Sequence, residues 1–565
     1  MDEKGKLKIT LTNFFLKCRF QKEQIIFLFI LFFQVINIIY WGTCKEGYFG
    51  DELYSYQFVC QTDYPSINAN RPGQSYLNNW HFSEYYQDYF TITENEAFDF
   101  VGVYNSIKKD VHPPLYYIFL LIMCSFFRKF TKWSFIILNI IFFVLSNIYL
   151  YKISKKLIKS KIVQLIPSLF WGFSVGAVTT AVFGRMYMQL TCATILYVYV
   201  HIGLIKDIFY MRVISKKTLF SIFLVTIFGV LTQYYFLIFA FFLSAGIWIF
   251  LILYKRKYAI EYMITMFMGL ACSYAIFPTM YKQIFKGYRG DEAFENIKSK
   301  FDLDQLRNFV GLLSKEIFAG KLKFLVICAL ILFLIGIFIH LFRIDCLFGE
   351  LGEFNITLSR KKLNEFNIKI QNEFFISVFI FVAVVMDIIV LAKIAPYRSD
   401  RYIFNIQAIS VLLFVVFGIS LCEWLTKSQY LKITGMLIIV FITLMGYVET
   451  GVGYLYKGTN ERIEIANAYA DLPIILLTCN NARYTSCNDA FFFLNGQKVY
   501  PIDESGISDI NIVLDEVKAT SFVLHVDKSY DSVDDKLDAV KKNVDSEKSK
   551  WIYSTNTSAV YLIDR

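Results

Sequence analysis

"GYFGDELYSYQ", Gly47 to Gln57, contains the adjacent carboxylates Asp51 and Glu52 and follows the first long apolar segment of the chain, Ile25 to Trp41. A helix of roughly 17 or more apolar residues is long enough to span a hydrocarbon core of about 30 Å. If the segment crosses a membrane, the acid pair lies at the surface where the segment emerges. The placement therefore predicts that Asp51 and Glu52 face the far side of the membrane.

The composition is that of a membrane protein. Of the 565 residues, 56% are hydrophobic and 18% aromatic, which exceeds the usual apolar share of a soluble globular chain. The formal net charge is +10, but Lys and Arg stand in short clusters between apolar runs, a pattern typical of cytoplasmic loops. It excludes a nucleic-acid-binding face and predicts a multi-pass protein of the plasma membrane.

Charge also orients the first segments. Residues 1–23 carry six Lys or Arg, so the positive-inside rule predicts a retained anchor with a cytoplasmic N-terminus. Residues 42–112 carry ten acids against four Lys or Arg and are expected outside, in a loop that extends over 42–132. The segment "HPPLYYIFLLIMCSFF", His112 to Phe127, has about 14 apolar residues after its prolines, too few to cross comfortably. We predict that it is re-entrant or interfacial, because a crossing there would place the later basic loops outside.

The remaining apolar runs complete about eleven predicted crossings and keep the basic loops cytoplasmic. The expected fold class is an all-α polytopic membrane protein, with its membrane domain covering residues 24–456. The predicted crossings lie at 25–41, 133–151, 162–182, 188–205, 218–235, 236–254, 259–280, 322–342, 373–394, 402–424 and 431–449.

Residues 457–565 differ in character, with seventeen acids against twelve Lys or Arg and short alternating segments. Alternation predicts strands, and helical periodicity predicts amphipathic helices. The expected unit is a small C-terminal extracytoplasmic α/β domain. Its predicted strands are "PIILLT", "SFVLHV", "WIYST" and "AVYLI", and its predicted helices are "DINIVLDEVKA" and "DKLDAVKKNV".

An aromatic stripe runs through the outer loop. Aromatic residues recur there at helical spacing, namely Phe82, Tyr85, Tyr86, Tyr89 and Phe90. Because Tyr favours the headgroup level, the stripe predicts an interfacial helix lying on the bilayer. The alternative is a helix packed on a small soluble core.

Cysteine and histidine usage gives no metal signature, since none of the eleven Cys or five His stands at metal-ligand spacing. On the predicted topology Cys44 and Cys60 share the outer loop, and Cys479 and Cys487 share the tail. Each pair forms a disulfide outside the cell or remains as free thiols. No cofactor is firmly implied, and a divalent cation is the one candidate.

Several charged groups on the predicted external side suit phosphate and proton chemistry. Asp51 or Glu52 supplies a carboxylate that can accept a proton. Arg185, Arg398 and Arg401 supply guanidinium groups, which bind phosphate through two parallel hydrogen bonds. A solvated acid pair and Arg side chains that snorkel to the interface are the alternative interpretations.

Histidine and tyrosine residues accompany these charges. The two prolines after His112 fix the local backbone and hold the side chains around them at the membrane edge. Aromatic residues at such places contact sugar or isoprenoid, or belong to the aromatic belt of the interface. The candidates are His112, Tyr116, Tyr117, Tyr187, Tyr234 beside Gln233 and Tyr235, and Tyr402.

Asp387, in "VAVVMDIIVLAK", is an acid inside a predicted span. An intramembrane carboxylate is a functional candidate by default. It is the centre of a rival hypothesis, a transporter or flippase of a lipid-linked sugar, with a non-catalytic membrane scaffold as a third interpretation. Against transport, no internal repeat is visible in the sequence.

Three ordered elements resemble the GT-C glycosyltransferases, specifically the group of protein O-mannosyltransferases and lipid A aminoarabinose transferases. They are the Asp51-Glu52 pair, the sequence His112-Pro113-Pro114-Leu115-Tyr116-Tyr117, and Arg185-Met186-Tyr187. The later "RSDRY", Arg398 to Tyr402, resembles the external Arg-Tyr element of that family. The resemblance covers roughly residues 20–450 in order and spacing.

This resemblance implies a polyprenyl-phosphate sugar donor, inversion at the anomeric carbon and Asp51 as general base. We expect Arg185, with Arg398 or Arg401, to stabilise the leaving phosphate, and Glu52 to orient the acceptor or assist a divalent ion. His112 stands where aminoarabinose transferases have Lys, and the tail lacks the repeats of eukaryotic mannosyltransferases. The acceptor therefore stays open among a cell-wall polymer, a glycolipid and a protein.

Overall fold

The computed structural model describes residues 22–208, 213–348, 354–360, 372–425, 429–479 and 482–565. Within these ranges the chain is mostly helical and ends in a small sheet, in agreement with the fold class expected from the sequence. The cytoplasmic segment predicted for 1–23 lies almost entirely outside the described residues.

Nineteen helices precede the C-terminal unit in the described ranges. The first nine are α1 (Lys22–Thr43), α2 (Gly50–Cys60), α3 (Ser83–Gln87), α4 (Phe100–Ile107), α5 (Leu115–Phe127), α6 (Trp133–Leu157), α7 (Ile166–Phe173), α8 (Val175–Val182) and α9 (Tyr187–Lys206). The next ten are α10 (Lys216–Thr232), α11 (Phe236–Tyr254), α12 (Arg256–Ile276), α13 (Thr279–Phe285), α14 (Tyr288–Lys298), α15 (Leu303–Phe318), α16 (Leu322–Leu341), α17 (Asn372–Ile394), α18 (Phe404–Leu425) and α19 (Gln429–Glu449).

Seven of these helices are long and apolar enough to span a membrane, namely α1, α6, α9, α11, α12, α17 and α18. The count rises to nine if the bent pairs α7–α8 and α15–α16 are each one span. The predicted crossings at 218–235 and 431–449 coincide with α10, which has 17 residues, and with α19. The count of eleven stays a prediction, and so does the re-entrant character of α5, which has 13 residues.

Both bends have a local cause. Ser174 ends α7 in extended backbone and caps α8 by accepting from the N–H of Ala177, and the two helices meet at 52°. Ala319 and Gly320 both adopt positive φ after α15, and α16 leaves at 85°.

Helix α9 lies at the centre of the bundle. It packs against α6, α10, α11 and α18, and 83% of its apolar stretch is buried. Thr191 and Thr194 satisfy their hydroxyls by donating to carbonyl oxygens one turn back, at 2.9 and 3.0 Å. The helix therefore forms a fixed support for the loop at 183–186 that precedes it.

The C-terminal unit is an α/β layer built on one mixed sheet. Three strands precede this unit in the described ranges. They are β1 (His81–Phe82), in the outer loop, and β2 (Phe342–Phe348) and β3 (Phe354–Arg360), which pair as a hairpin. The unit itself contains α20 (Thr459–Ala468), β4 (Pro473–Leu477), α21 (Ala482–Ala490), β5 (Lys498–Ile502), α22 (Ile510–Glu516), β6 (Ser521–Asp527), α23 (Val533–Asn543), β7 (Ser549–Ser554) and β8 (Ser558–Asp564). The strand order is β1-β5-β4-β6-β8-β7, with β5, β4 and β6 parallel.

The aromatic stripe of the outer loop is not an interfacial helix. Tyr86, Tyr89 and Phe90 are fully buried, and the ring of Tyr86 lies 5.2 Å from that of Phe493 in the C-terminal unit. Strand β1 pairs with β5 and joins the outer loop to the C-terminal sheet. The structure thus shows the alternative arrangement, a helix packed on a soluble core. The buried tyrosine rings make more contacts in this shared core than they would make at a bilayer surface.

Candidate active site

Helix α2 carries both carboxylates of the acid pair in its first turn. Consecutive residues of a helix point about 100° apart, so the two side chains diverge. Asp51 keeps 29% of its side chain exposed, whereas the side chain of Glu52 is fully buried. The pair is therefore one surface carboxylate and one internal carboxylate.

Glu52 is held by three donors. Lys45 Nζ lies 3.0 Å from Oε2, the N–H of Phe49 donates to Oε2 at 2.7 Å, and the N–H of Gly184 donates to Oε1 at 2.5 Å. Burial lowers the pKa of Lys45 and raises that of Glu52, and the contact between them opposes both shifts. Because both oxygens are engaged inside the protein, neither role expected for Glu52, orienting the acceptor or assisting a divalent ion, fits its position.

Arg185 is buried beneath Asp51 and is held by four acceptors. Its Nη1 donates to the carbonyl oxygen of Asp51 at 3.1 Å, to Ser55 Oγ at 2.8 Å and to the Tyr117 hydroxyl at 3.2 Å. Its Nη2 donates to His112 Nε2 at 3.2 Å. All four acceptors are neutral groups, and the carboxylates of Asp51 and Asp110 act on the positive charge of Arg185 without a direct hydrogen bond to it.

His112 connects Arg185 to a second carboxylate. A guanidinium only donates, so His112 Nε2 accepts and Nδ1 carries the hydrogen. Nδ1 lies 2.8 Å from Asp110 Oδ2, which also accepts from the Tyr117 hydroxyl at 3.1 Å. Burial raises the pKa of Asp110, but His112 and Arg185 outweigh it and hold the pKa at about 2. His112 therefore connects Asp110 to Arg185 and fixes the guanidinium.

Arg401 forms an ion pair with Asp51 and is 11% exposed. Its guanidinium carbon lies 5.7 Å from the ring centre of Phe49. Arg398 instead pairs with Asp302 at 3.0 Å, where both side chains are about half exposed. The structure thus brings Arg401, and not Arg398, to the carboxylate of α2.

The candidate tyrosines surround these charges at different depths. Tyr116 and Tyr117 are fully buried and stand edge to face, with ring centres 5.7 Å apart. The hydroxyl of Tyr234 donates to Gln283, which in turn donates to the carbonyl oxygen of Asp110 at 2.8 Å. These contacts join three of the predicted side chains to the Arg185 network.

Tyr187 and Tyr402 lie on the Arg401 side of the site. The ring of Tyr187 stacks on Phe183, with centres 5.8 Å apart. The ring of Tyr402 lies 5.4 Å from the guanidinium carbon of Arg401. Both rings are buried, so they line the space around Arg401.

Asp387 lies apart from these contacts, on the spanning helix α17. It is fully buried, and neither carboxylate oxygen has a hydrogen-bond partner among the described residues. None of the contacts that hold Asp51, Arg185 or Arg401 involves it. The carboxylate at the centre of the transporter hypothesis therefore takes no part in this site.

The four cysteines considered as disulfide partners are free thiols. Cys60 is buried against the thiol of Cys124, which together with burial raises the pKa of Cys60. The described ranges also contain no group of three or more His, Cys, Asp or Glu that could hold a metal ion.

Three residues that contact the candidate site escape the sequence analysis. Lys45 looks like an ordinary loop lysine, but it is fully buried among rings and pairs with Glu52. Asp110 holds His112, and its place two residues before that His was the available signal. Ser55 receives Arg185 and follows Asp51 by one helical turn, a spacing that predicts a shared face.

The arrangement has the parts of a group-transfer site. The partly exposed carboxylate of Asp51 pairs with the guanidinium of Arg401. The buried guanidinium of Arg185 donates to the backbone oxygen of the same residue. Such a site can take a proton through Asp51 and can stabilise a phosphate through Arg401 and Arg185.

Comparison with known proteins identifies the fold. No family model matches the sequence, and no curated protein matches it significantly. The apo form of ArnT from Cupriavidus metallidurans matches with a TM-score of 0.51 at 8% identity, covering 94% of this chain and 97% of that chain. The same protein bound to undecaprenyl phosphate matches with a TM-score of 0.49 at 8% identity, covering 96% and 97%.

An oligosaccharyltransferase from Archaeoglobus fulgidus, tethered to an acceptor peptide with the NVT sequon, matches with a TM-score of 0.43 at 12% identity. The match covers 94% of this chain and 74% of that chain. ArnT and this enzyme are both GT-C glycosyltransferases. The chain is a multi-pass membrane protein with the fold of the GT-C glycosyltransferases.

Proposed function

We propose that the chain is a glycosyltransferase that moves a sugar from a polyprenyl-phosphate donor to an extracytoplasmic acceptor, with inversion at the anomeric carbon. The observation that carries the proposal is that Asp51, the partly exposed carboxylate of α2, contacts both Arg401 and, through its backbone oxygen, the buried Arg185. ArnT, whose fold the chain shares, has been solved with undecaprenyl phosphate bound. A lipid phosphate supplies the anion that these two Arg side chains suit.

The ion pair suggests how the base becomes available. A carboxylate oxygen that accepts a hydrogen bond from Arg401 is not free to take a proton from an acceptor. A donor phosphate competes for Arg401 and binds it bidentately. Arg401 then leaves Asp51, so the carboxylate is freed when the donor is in place.

In the transfer step, Asp51 takes the proton of the acceptor hydroxyl. The acceptor oxygen forms a bond to the anomeric carbon, and the bond from that carbon to the phosphate oxygen breaks. The electron pair of the broken bond stays on the departing lipid phosphate. Arg401 and Arg185 stabilise the added negative charge, and the single displacement inverts the anomeric carbon.

The buried groups keep this geometry fixed. Glu52 and Lys45 join α2 to the Arg185 loop, and Asp110 and His112 orient Arg185 from the other side. We propose that residues 24–456 form the catalytic membrane domain and that residues 457–565 lie on the same outer side of the plasma membrane as Asp51. Tyr187, Tyr234 and Tyr402 would contact the sugar or the isoprenoid. Tyr116 and Tyr117, also predicted as substrate contacts, are fully buried and would instead support Arg185 from inside the protein.

The test is the release of free polyprenyl phosphate by purified protein in detergent from radiolabelled polyprenyl-phosphate hexoses. We expect Asp51→Asn to slow release by about 10²- to 10⁴-fold, the usual range for loss of a general base. The matched control is Glu94→Gln, which neutralises a carboxylate of the same loop that is 90% exposed. Equal release by the wild type and Asp51→Asn would refute the proposal.

A further inference from the structure

A cavity of about 250 Å³ lies between the outer loop and the C-terminal unit, beside the helix that carries Asp51. Its lining includes Phe58, Asp63, Tyr64, Lys109 and Arg483. At about 30 Å³ per water molecule, the volume equals that of about eight waters. The cavity is therefore large enough for one saccharide unit or a comparable polar group.

Helix α2 connects this cavity to the catalytic carboxylate. Asp51, Tyr54 and Phe58 stand at i, i+3 and i+7 and share one face of the helix. With a rise of 1.5 Å per residue, Phe58 lies roughly 10 Å along the helix from Asp51. A molecule whose reacting hydroxyl meets Asp51 can therefore reach the cavity with a group about 10 Å away.

The C-terminal unit forms the other wall. A Cβ placed on Gly50 would lie 3.0 Å from Asn488 Nδ2 and 3.3 Å from Tyr484 Cε2. Gln57 Nε2 donates to Cys487 Sγ at 3.0 Å. Helix α21 is thus packed along α2 from the residue before Asp51 onward, and this contact brings Arg483 to the cavity.

Aromatic rings hold the side chain of Arg483 in place, and its charge has no paired carboxylate among the described residues. Its guanidinium carbon lies 4.8 Å from the ring centre of Tyr54 and 5.9 Å from that of Phe58. Its Nε is buried and has no partner, and in the part of the chain that the structure describes no carboxylate pairs with it. Stacked rings fix an Arg while leaving its donors free for a ligand.

The opposite side of the cavity has mixed charge. Lys109 donates to the carbonyl oxygen of Asp63 at 2.7 Å, and both side chains are exposed. Two cations and one carboxylate therefore line the cavity, which leaves an excess of positive charge next to the unpaired guanidinium. An anion fits this balance better than a neutral or cationic group.

We propose that this cavity binds an acidic group of the acceptor, a carboxylate or a phosphate, about 10 Å from the hydroxyl that Asp51 deprotonates. The inference rests on the proposed function and adds a specificity determinant, Arg483, supplied by the C-terminal unit. Binding energy from a remote group of this kind positions the reacting hydroxyl without taking part in the chemistry.

Saturation-transfer NMR of the full-length protein in detergent tests the inference with three soluble probes. These are methyl glucuronide, glucose 6-phosphate and neutral methyl glucoside. We expect the wild type to bind at least one acidic probe about ten-fold or more tightly than the neutral probe, the usual gain from hydrogen bonds to a charged group. Arg483→Gln removes the preference, Arg483→Lys keeps part of it, and the exposed control Arg307→Gln keeps all of it.

Two results would overturn the inference. One is equal binding of acidic and neutral probes by the wild type. The other is a preference that survives Arg483→Gln but is lost in Arg401→Gln, which would mean that the probes occupy the donor phosphate site. The preference for methyl glucuronide or for glucose 6-phosphate distinguishes a carboxylate from a phosphate. Because the readout is binding, it separates failure of this inference from failure of the proposed transfer, which the release assay detects.

Discussion

Replacing Lys45 by Met removes the cation that faces the fully buried Glu52, while the flexible Met side chain fills much of the space of the Lys stem. Removing one partner of a buried ion pair typically costs about 3–5 kcal/mol, because the other charge stays behind uncompensated. Glu52 keeps two backbone donors, from Phe49 and Gly184, and these moderate the loss. We expect Lys45→Met to destabilise the protein by about 3 kcal/mol, the lower end of that range.

Thermal unfolding in detergent, followed by loss of the monodisperse peak on size exclusion, measures this effect. The matched control is Lys298→Met, which removes a Lys that is 71% exposed and pairs with Glu295 at 2.9 Å. Exposed pairs contribute about 0–1 kcal/mol, so the control should unfold close to the wild type. If Lys45→Met and Lys298→Met unfold at the same temperature, the buried pair does not hold the site together.

A double mutant separates the pair from general damage at either position. Glu52→Gln alone removes the negative charge that faces the buried Lys45, which keeps the carbonyl oxygen of Tyr454 as an acceptor. Combined with Lys45→Met, it removes both charges. We expect the double mutant to be more stable than the sum of the single effects predicts, by about 0.5–3 kcal/mol. Strict additivity would contradict the interpretation of Lys45 and Glu52 as a coupled pair.

Three further outcomes follow from the contacts of the site. Arg401→Gln should lower polyprenyl phosphate release by about 10²- to 10³-fold because the leaving phosphate loses a fixed cation, and a smaller effect than that of Arg398→Gln would contradict this role. Asp110 has its pKa lowered from 3.8 to about 2, so its contribution, about 2 kcal/mol, is complete above about pH 4 and is lost as the pH falls toward 2. Unfolding of the wild type and Asp110→Asn should therefore differ at pH 7 and converge near pH 2. Gly184→Ala should destabilise the protein by about 1–3 kcal/mol and impair release, since its Cβ would lie 2.7 Å from a buried aromatic ring; wild-type behaviour would show that the 183–186 loop is loosely packed.

The sequence predicts the membrane class well because a lipid-exposed helix needs a long apolar run, which composition reveals directly. It also predicts the four strands of the tail that show alternation. It misses β5, "KVYPI", since a Pro inside a run argues against a strand. In the structure β1 pairs with β5 at Val499 and Lys498 and leaves Pro501 at the sheet edge, where a missing N–H is tolerated.

Side-chain roles within the site are less accessible to sequence. Asp51 and Glu52 are equivalent in the sequence. Only the start of α2 at Gly50 directs the side chain of Asp51 outward and that of Glu52 inward. Arg398 and Arg401 are three residues apart and appear interchangeable until tertiary contacts assign them to different carboxylates. The pairing of Lys45 with Glu52 cannot be predicted from sequence, because it depends on the burial of Lys45 against a segment that includes its second acceptor, Tyr454, more than 400 residues away.

The central claim is that the chemistry takes place at Asp51, on the outer surface, and not at Asp387, inside α17. The most direct test compares Asp51→Asn and Asp387→Asn in one assay, in which purified protein releases polyprenyl phosphate from a labelled donor in detergent, where no membrane has to be crossed. We expect Asp51→Asn to slow release by about 10²- to 10⁴-fold and Asp387→Asn to retain it within about three-fold of the wild type, since Asp387 has no hydrogen bond to the residues of the site. Release that depends on Asp387 and not on Asp51 would contradict the account.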